Sequence, residues 1–237
     1  MRRFFISPQW LRDDDVSLPA SFARRLLVLG LGVGDQVVLL DDHGWAYQVE
    51  LMALARDGAV GRVVGRSLAG GERRTKITLY QGLMQPRAFA TLLRKGTELG
   101  LVEFVPLITD RCTIASLDSF KEERLASWRK VIQETAERAG RGRLPRLQPA
   151  MLFDSACDRA SRSGLSLILW KEAEAQLGSV LQHRPFSIHL FAGPPMGFTA
   201  EEVDRARGYG VIPVSLGPVR ARTTGLTASR IIFDRLK

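Results

Sequence analysis

The chain has 237 residues, 45% hydrophobic and 25% charged, enough for a real core in one large domain or two modest ones. Lys and Arg number 34 against 25 acids, a formal net charge of +9, and a basic surface of that size favours polyanions such as RNA without specifying a chemistry. Isolated Cys112 and Cys157, histidines without ligand spacing, the absence of a long apolar run and the absence of a signal-peptide core in MRRFFISPQW argue against metal sites, disulfides, membrane spans and secretion, so a soluble cytoplasmic protein is expected.

The first third reads as β structure. RRFFI (2–6), DQVVLLD (35–41), WAYQVEL (45–51) and AVGRVVGR (59–66) are short β-rich runs separated by turn residues, at a spacing that predicts a small barrel over 1–70. GLGVGD (30–35) precedes a strand instead of following one and reads as a turn, while the Gly-rich, basic SLAGGERRTK (67–76) is the linker candidate. From 74 onward, strands and helices alternate. KITLYQGLM (76–84) reads as a buried strand, and Pro86 opens a helix with Phe89, Leu92, Leu93, Gly96 and Leu99 on one face and Gly100 as its stop. Strand 101–109 follows, then a helix across 120–139 with Leu125, Trp128, Ile132, Ala136 and Ala139 in helical register. Strands 165–170, 187–193 and 211–217, a helix from Thr199 with a capping box to Glu202, and a helix from about Thr224 complete the chain. Such alternation predicts an α/β fold with a mainly parallel sheet covered on both faces.

Three segments could carry chemistry. Glu137 to Leu147 crowds Arg138, Arg141, Arg143 and Arg146 among glycines at a helix end, which suits a phosphate clamp; a solvated charged face is the plainer alternative. A-G-P-P-M-G (192–197) follows a strand and is stiff in the middle and permissive at both ends. It is neither a Walker A loop nor a dinucleotide fingerprint, and a simple tight turn would look the same. In Ser215 to Ala228, Arg220 and Arg222 arrive just before a Thr-rich helix start, a combination suited to an anionic or electron-rich ligand, or else a solvated basic turn. The last two segments fall at carboxyl ends of predicted strands, where open α/β sheets bind ligands.

On these residues the chain resembles the RsmE family of SPOUT enzymes, which methylate N3 of a uridine in small-subunit (16S) ribosomal RNA. K-G-T-E-L-G-L-V-E-F-V-P-L-I-T-D-R-C (95–112), E-R-A-G-R-G-R-L-P (137–145), A-G-P-P-M-G-F-T-A-E-E (192–202) and L-G-P-V-R-A-R-T-T-G-L-T-A (216–228) are similar to four family segments in the same order. The resemblance implies a PUA-like RNA-binding barrel, then a trefoil-knotted domain over 74–237, working as a homodimer with ribosomal RNA or the small subunit as partner. It also implies S-adenosylmethionine as cofactor, held by Leu169, Ala192, Gly193, Pro194, Gly197, Leu216, Gly217, Pro218 and Leu226. Two pocket positions depart from the family pattern: Pro195-Met196 stands where the family carries Glu-Gly, and Arg220-Ala221-Arg222 where it carries Arg-Thr-Glu.

The mechanism expected on this basis aligns an activated methyl group with a uridine N3 that must lose its proton. By position, Arg220 would stabilise the resulting anion, Arg222 would assist it or contact RNA, and Glu172, just past strand 165–170, would be the general base. Arg138, Arg141 and Arg143 would contact the RNA backbone. Two alternatives stay open: an RNA-binding paralogue of the same fold that no longer methylates, and an unrelated α/β enzyme with a nucleotide cofactor.

Overall fold

Contacts within the computed structural model, which describes residues 1–112, 121–181, 184–217 and 224–236, divide the chain into two compact units. The first comprises Met1–Glu72 and Gln133–Leu144, the second Arg73–Ile132 and Pro145–Lys237. The expected domain of 74–237 includes 133–144, which the structure assigns to the first unit.

In the first unit, strands β1 (Arg2–Phe5), β2 (Leu11–Arg12), β3 (Asp15–Pro19), β4 (Gln36–Leu40), β5 (Trp45–Ala55) and β6 (Gly58–Leu68) form one sheet in the order β1-β4-β5-β6-β3-β2. Helix α1 (Ala20–Val28) packs Phe22, Ala23 and Leu26 against it, completing a core with Phe4, Val16, Leu18, Val37, Leu39, Val49 and Leu51. All pairings are antiparallel except β1 with β4. The turn into β5 is built by Asp41, whose carboxylate accepts the N–H groups of His43 at 2.8 Å and Trp45 at 3.0 Å. The segment 133–144 joins this unit through buried charge. Glu137 accepts the Phe5 N–H at 3.1 Å and is gripped by Arg25 at 2.5 and 3.2 Å.

The second unit is a parallel sheet. Strands β7 (Lys76–Gly82), β8 (Glu103–Ile108), β9 (Arg146–Leu147), β10 (Met151–Leu152), β11 (Leu165–Leu169), β12 (Ser187–Ala192) and β13 (Ile212–Val214) run in the order β10-β8-β7-β12-β11-β13, with β9 beside β8. Parallel sheets must be covered on both faces. On one face, α2 (Pro86–Leu99), the start of α3 (Glu122–Arg138), α5 (Leu177–Val180) and α7 (Thr224–Arg235) bury Phe89, Trp128, Leu177 and Ile232 against Ile77, Leu79 and Leu190. On the other, α4 (Phe153–Ser161) and α6 (Ala200–Gly208) pack Ala156, Val203 and Ala206 against Tyr80, Val105 and Phe191.

Several ends have local causes. Pro86 opens α2, and Gly100 closes it at φ 111°, a conformation that costs a Cβ-bearing residue strain. Thr199 caps α6 through the expected reciprocal bonds with Glu202.

Toward the amino ends of the central strands, Glu103, Thr78, His189 and Ser166 stand side by side in register across β8, β7, β12 and β11. Arg159 of α4 donates to both Glu103 oxygens at 2.9 and 2.8 Å, and Gln148 and Thr78 donate to the same carboxylate. Burial lowers the His189 pKa below its ordinary value and pushes the Tyr80 phenol up to about 12, so at neutral pH both are uncharged. Burial likewise pushes the Cys157 thiol up to about 12, which makes it a packing residue. Among the described residues no His, Cys, Asp or Glu cluster could hold a metal ion, and no helix is long and apolar enough to cross a membrane.

Candidate functional site

The carboxyl ends of β7, β11, β12 and β13 meet at one edge of the second unit, and what gathers there is mostly backbone. Gln81, the penultimate residue of β7, is buried, and its amide donates to the carbonyl oxygens of Gly82 at 3.2 Å, Ala192 at 3.4 Å and Gly193 at 2.9 Å. Next to it, a Cβ on Gly82 would overlap the backbone nitrogen of Pro194 and lie 2.5 Å from its Cδ. On Gly193 a Cβ would meet the Gly197–Phe198 backbone at 3.0 Å, and on Gly225 it would lie 2.9 Å from both the Ala192 Cβ and the Leu79 Cδ1. Gly82 and Gly225 thus let the end of β7 and the start of α7 approach the 192–198 loop and its strand at distances that leave no room for a Cβ, and Gly193 lets the loop close tightly on itself.

The 193–197 loop is itself a tight turn, closed by the Gly197 N–H to the Pro194 carbonyl at 2.8 Å, with Gly197 at φ 74°. Pro194 is buried, whereas Pro195 and Met196 are exposed. The Met196 carbonyl accepts a hydrogen bond from Arg111. Buried Glu202 fastens the far side of the loop: one oxygen accepts the Thr199 N–H at 2.8 Å and the other the Asp110 N–H at 2.9 Å. One capping glutamate therefore ties the segment after β12 to the segment after β8.

The loops after β11 and β13 are joined to each other. Ser215 donates its N–H to Ala175 at 2.8 Å and accepts from Leu177 at 2.9 Å, in a parallel bridge with Gln176. Gly217 follows at φ 74°, its N–H on the Ser215 hydroxyl at 3.1 Å. Leu169, Leu216 and Leu226 belong to one apolar cluster with Ala192.

The structure therefore brings Leu169, Ala192, Gly193, Pro194, Gly197, Leu216, Gly217 and Leu226 to a single sheet edge, with Leu169, Leu216 and the glycines half-buried and Ala192, Pro194 and Leu226 buried. Glu172 lies on the loop after β11 at the same edge, exposed, and its carboxylate has no hydrogen bond or ion pair among the described residues. Pro218, Arg220 and Arg222 lie outside the described residues. The arginines of 137–147 divide. Arg138 and Arg143 are exposed, but Arg141 is 3% exposed and donates through Nε and Nη2 to Glu72, each at 2.8 Å. A guanidinium so enclosed serves the first unit's interior, which corrects the expectation of a phosphate contact there.

Sequence reasoning passed over Gln81, Gly82 and Arg111. For Gln81 and Gly82 the signal is a Gln-Gly pair where a buried strand ends, which acquires meaning only once Gly193 is known to lie beside it; Arg111 carries no local signal.

Residues 71–233 match the RNA methyltransferase domain family. The "Ribosomal RNA small subunit methyltransferase E" of Synechocystis is 28% identical over 220 residues, covering 91% of this chain and 71% of that protein. Its Bacillus subtilis counterpart is 24% identical over 203 residues, 83% of this chain and 79% of the other. The crystal structure of the same-named enzyme from Neisseria gonorrhoeae bound to S-adenosylmethionine superposes with a TM-score of 0.86 at 26% identity, over 100% of this chain and 96% of that one.

Proposed function

Because the chain belongs to the RsmE-like RNA methyltransferase family of the SPOUT superfamily, we propose that it transfers a methyl group from S-adenosylmethionine to N3 of a uridine in small-subunit ribosomal RNA. The observation that carries this reading is the glycine-built edge at Gly82, Gly193 and Gly225, with Gln81 beneath it, in a fold shared with a solved enzyme bound to that cofactor. The residues fit the group. Leu169, Leu216 and Leu226 suit the faces of an adenine, and the backbone of 193–197 and 216–217 suits its polar rim. When bound, the sulfonium supplies a methyl already activated for transfer.

The chain's own work is then alignment and proton handling. Gln81 and the turn at 194–197 fix the loop that orients the donor. Glu172, exposed at this edge and without an ion pair among the described residues, takes the N3 proton of the uridine. Arg220 stabilises the anion delocalised onto the flanking carbonyl oxygens, with Pro218 shaping the same loop and Arg222 assisting it or holding RNA. The first unit is the RNA-docking domain, with Arg138 and Arg143 on its exposed surface, and two copies of the chain form the working dimer in the cytoplasm.

The test is ribosomal RNA mass mapping in a strain lacking the gene. Loss of a single 3-methyluridine, restored by the wild-type chain and not by Arg220→Ala, is the expected outcome; an unchanged modification pattern overturns the reading. A second reading, an RNA binder without turnover, is favoured by Pro195 and Met196, exposed where the family carries Glu-Gly. Calorimetric titration with S-adenosylmethionine separates the two, because absence of binding leaves only the second.

A further inference from the structure

The first unit contains a cleft of about 540 Å³ whose walls carry four guanidinium groups, Arg2, Arg3, Arg25 and Arg138, and two carboxylates, Glu134 and Glu137. These charges are not evenly matched. Glu137 is saturated by the Phe5 N–H, the Gln133 amide at 3.2 Å and both terminal nitrogens of Arg25, which also lies over the Phe4 ring at 5.1 Å. That pair is neutral and structural. Three guanidiniums then remain against Glu134 alone. Arg138 uses Nε on the Glu134 carbonyl at 3.3 Å, and its terminal nitrogens make no ion pair among the described residues. Arg3 Nε is buried and has no hydrogen-bond partner there. The terminal nitrogens of the same guanidinium are not enclosed and make no hydrogen bond among the described residues, so they are the donors that an anion in the cleft can reach.

We propose that this cleft holds a phosphodiester group of RNA, with Arg3 and Arg138 as its principal contacts and Arg2 assisting. The inference rests on the RNA methyltransferase reading above and gives it a docking point on the first unit. Guanidinium forks match the paired oxygens of a phosphate better than those of a point anion, and this lining has arginine and no lysine. The volume exceeds what a lone phosphate fills, and half-buried Leu29 adds apolar wall on which a sugar or base face can rest. Arg141, enclosed with Glu72, takes no part.

Binding of the full chain to a short single-stranded RNA of mixed sequence, followed by fluorescence anisotropy across a series of KCl concentrations, tests the site. Arg3→Gln and Arg138→Gln should each weaken binding severalfold and lower the slope of log affinity against log salt by about one, additively in the double variant. Affinity for S-adenosylmethionine should not change. Should Arg3→Gln fail to fold, Arg2→Gln and Arg138→Gln, both at exposed positions, carry the test. If the wild type binds RNA and the variants keep its affinity and slope, the cleft is not an RNA site and the methyltransferase reading survives. If inorganic phosphate stabilises the wild type but not Arg3→Gln while RNA affinity is unaltered, the cleft serves free phosphate and the proposal falls. A wild type that binds the cofactor and no RNA overturns the RNA reading itself, and this inference with it.

Discussion

Toward the amino ends of its strands, the second unit's parallel sheet carries Glu103, Thr78 and His189, polar side chains that find partners in Arg159, Gln148, Tyr80 and Ser163. Toward the carboxyl ends, the side chains of Gln81, Arg111, Glu202 and Ser215 bond to loop backbone, and chain is brought close by Gly82, Gly193 and Gly225. One end spends its hydrogen-bonding capacity on itself. The other keeps backbone and apolar surface available at a place that loops can reach. The polar row that holds the sheet and the proposed binding edge thus lie on different rows of one sheet, a few residues apart, and substitutions should separate them.

The largest separation is expected from Glu103→Ala. It strands Arg159 and removes the acceptor for Thr78 and Gln148; breaking a buried pair costs about 3–5 kcal/mol, and partial exposure of Arg159 puts this case near 3. A lowered denaturant midpoint with unchanged cofactor affinity in the folded protein is the expected result; a loss of affinity at full stability would erase the distinction between the two ends. Gly82→Ala is the mirror experiment. Its methyl runs into the Gly193–Pro194 backbone, which cannot rotate away as a flexible side chain could, so cofactor affinity should fall about tenfold, near 1.4 kcal/mol. Calorimetry checks this, and wild-type affinity in the variant would show that the close approach is dispensable.

The smallest effect is a pH dependence. Burial depresses the His189 pKa, so below the ordinary value of 6.5 the unfolded chain takes up a proton that the folded one resists. This contribution to stability is present above that value and is lost as pH falls toward the depressed folded value. His189→Gln should flatten the stability profile between neutral and mildly acidic pH. An unchanged profile would mean that His189 does not sense acidification from within the polar row.

What the sequence made legible follows the range of the cause. The signals that bound α2, Pro86 and Gly100, and the cap that opens α6, Thr199 with Glu202, lie within a turn or two, and both bounds of α2 and the start of α6 are legible from them. Helix α1 was missed, since its short apolar face is interrupted by Arg24 and Arg25 and followed by glycines, as were β2, β3 and α4. The loops of the proposed cofactor edge are legible because they follow strands that the sequence pattern marks. Its support at Gln81 is not, since Gln81 meets Gly193 across 112 positions; in the first unit, the enclosure of Arg141 is hidden in the same way, since it meets Glu72 across 69. The parallel pairing of β1 with β4 and the interleaved order of the second sheet, which agrees with the knotted topology implied by the family resemblance, are equally beyond any local pattern.

The bond from the Phe5 N–H to Glu137 spans 132 positions, and with it the interior of the first unit waits for chain that is made much later. A ribosome adding about 5–20 residues per second needs roughly 4–14 s to pass from position 72 to position 144. During that interval the six-stranded sheet is out, with Arg25 lacking its carboxylate and the Phe5 amide its acceptor. The element synthesised first is among the last to be sealed, so the nascent chain offers an unfinished hydrophobic seam for chaperones to cover.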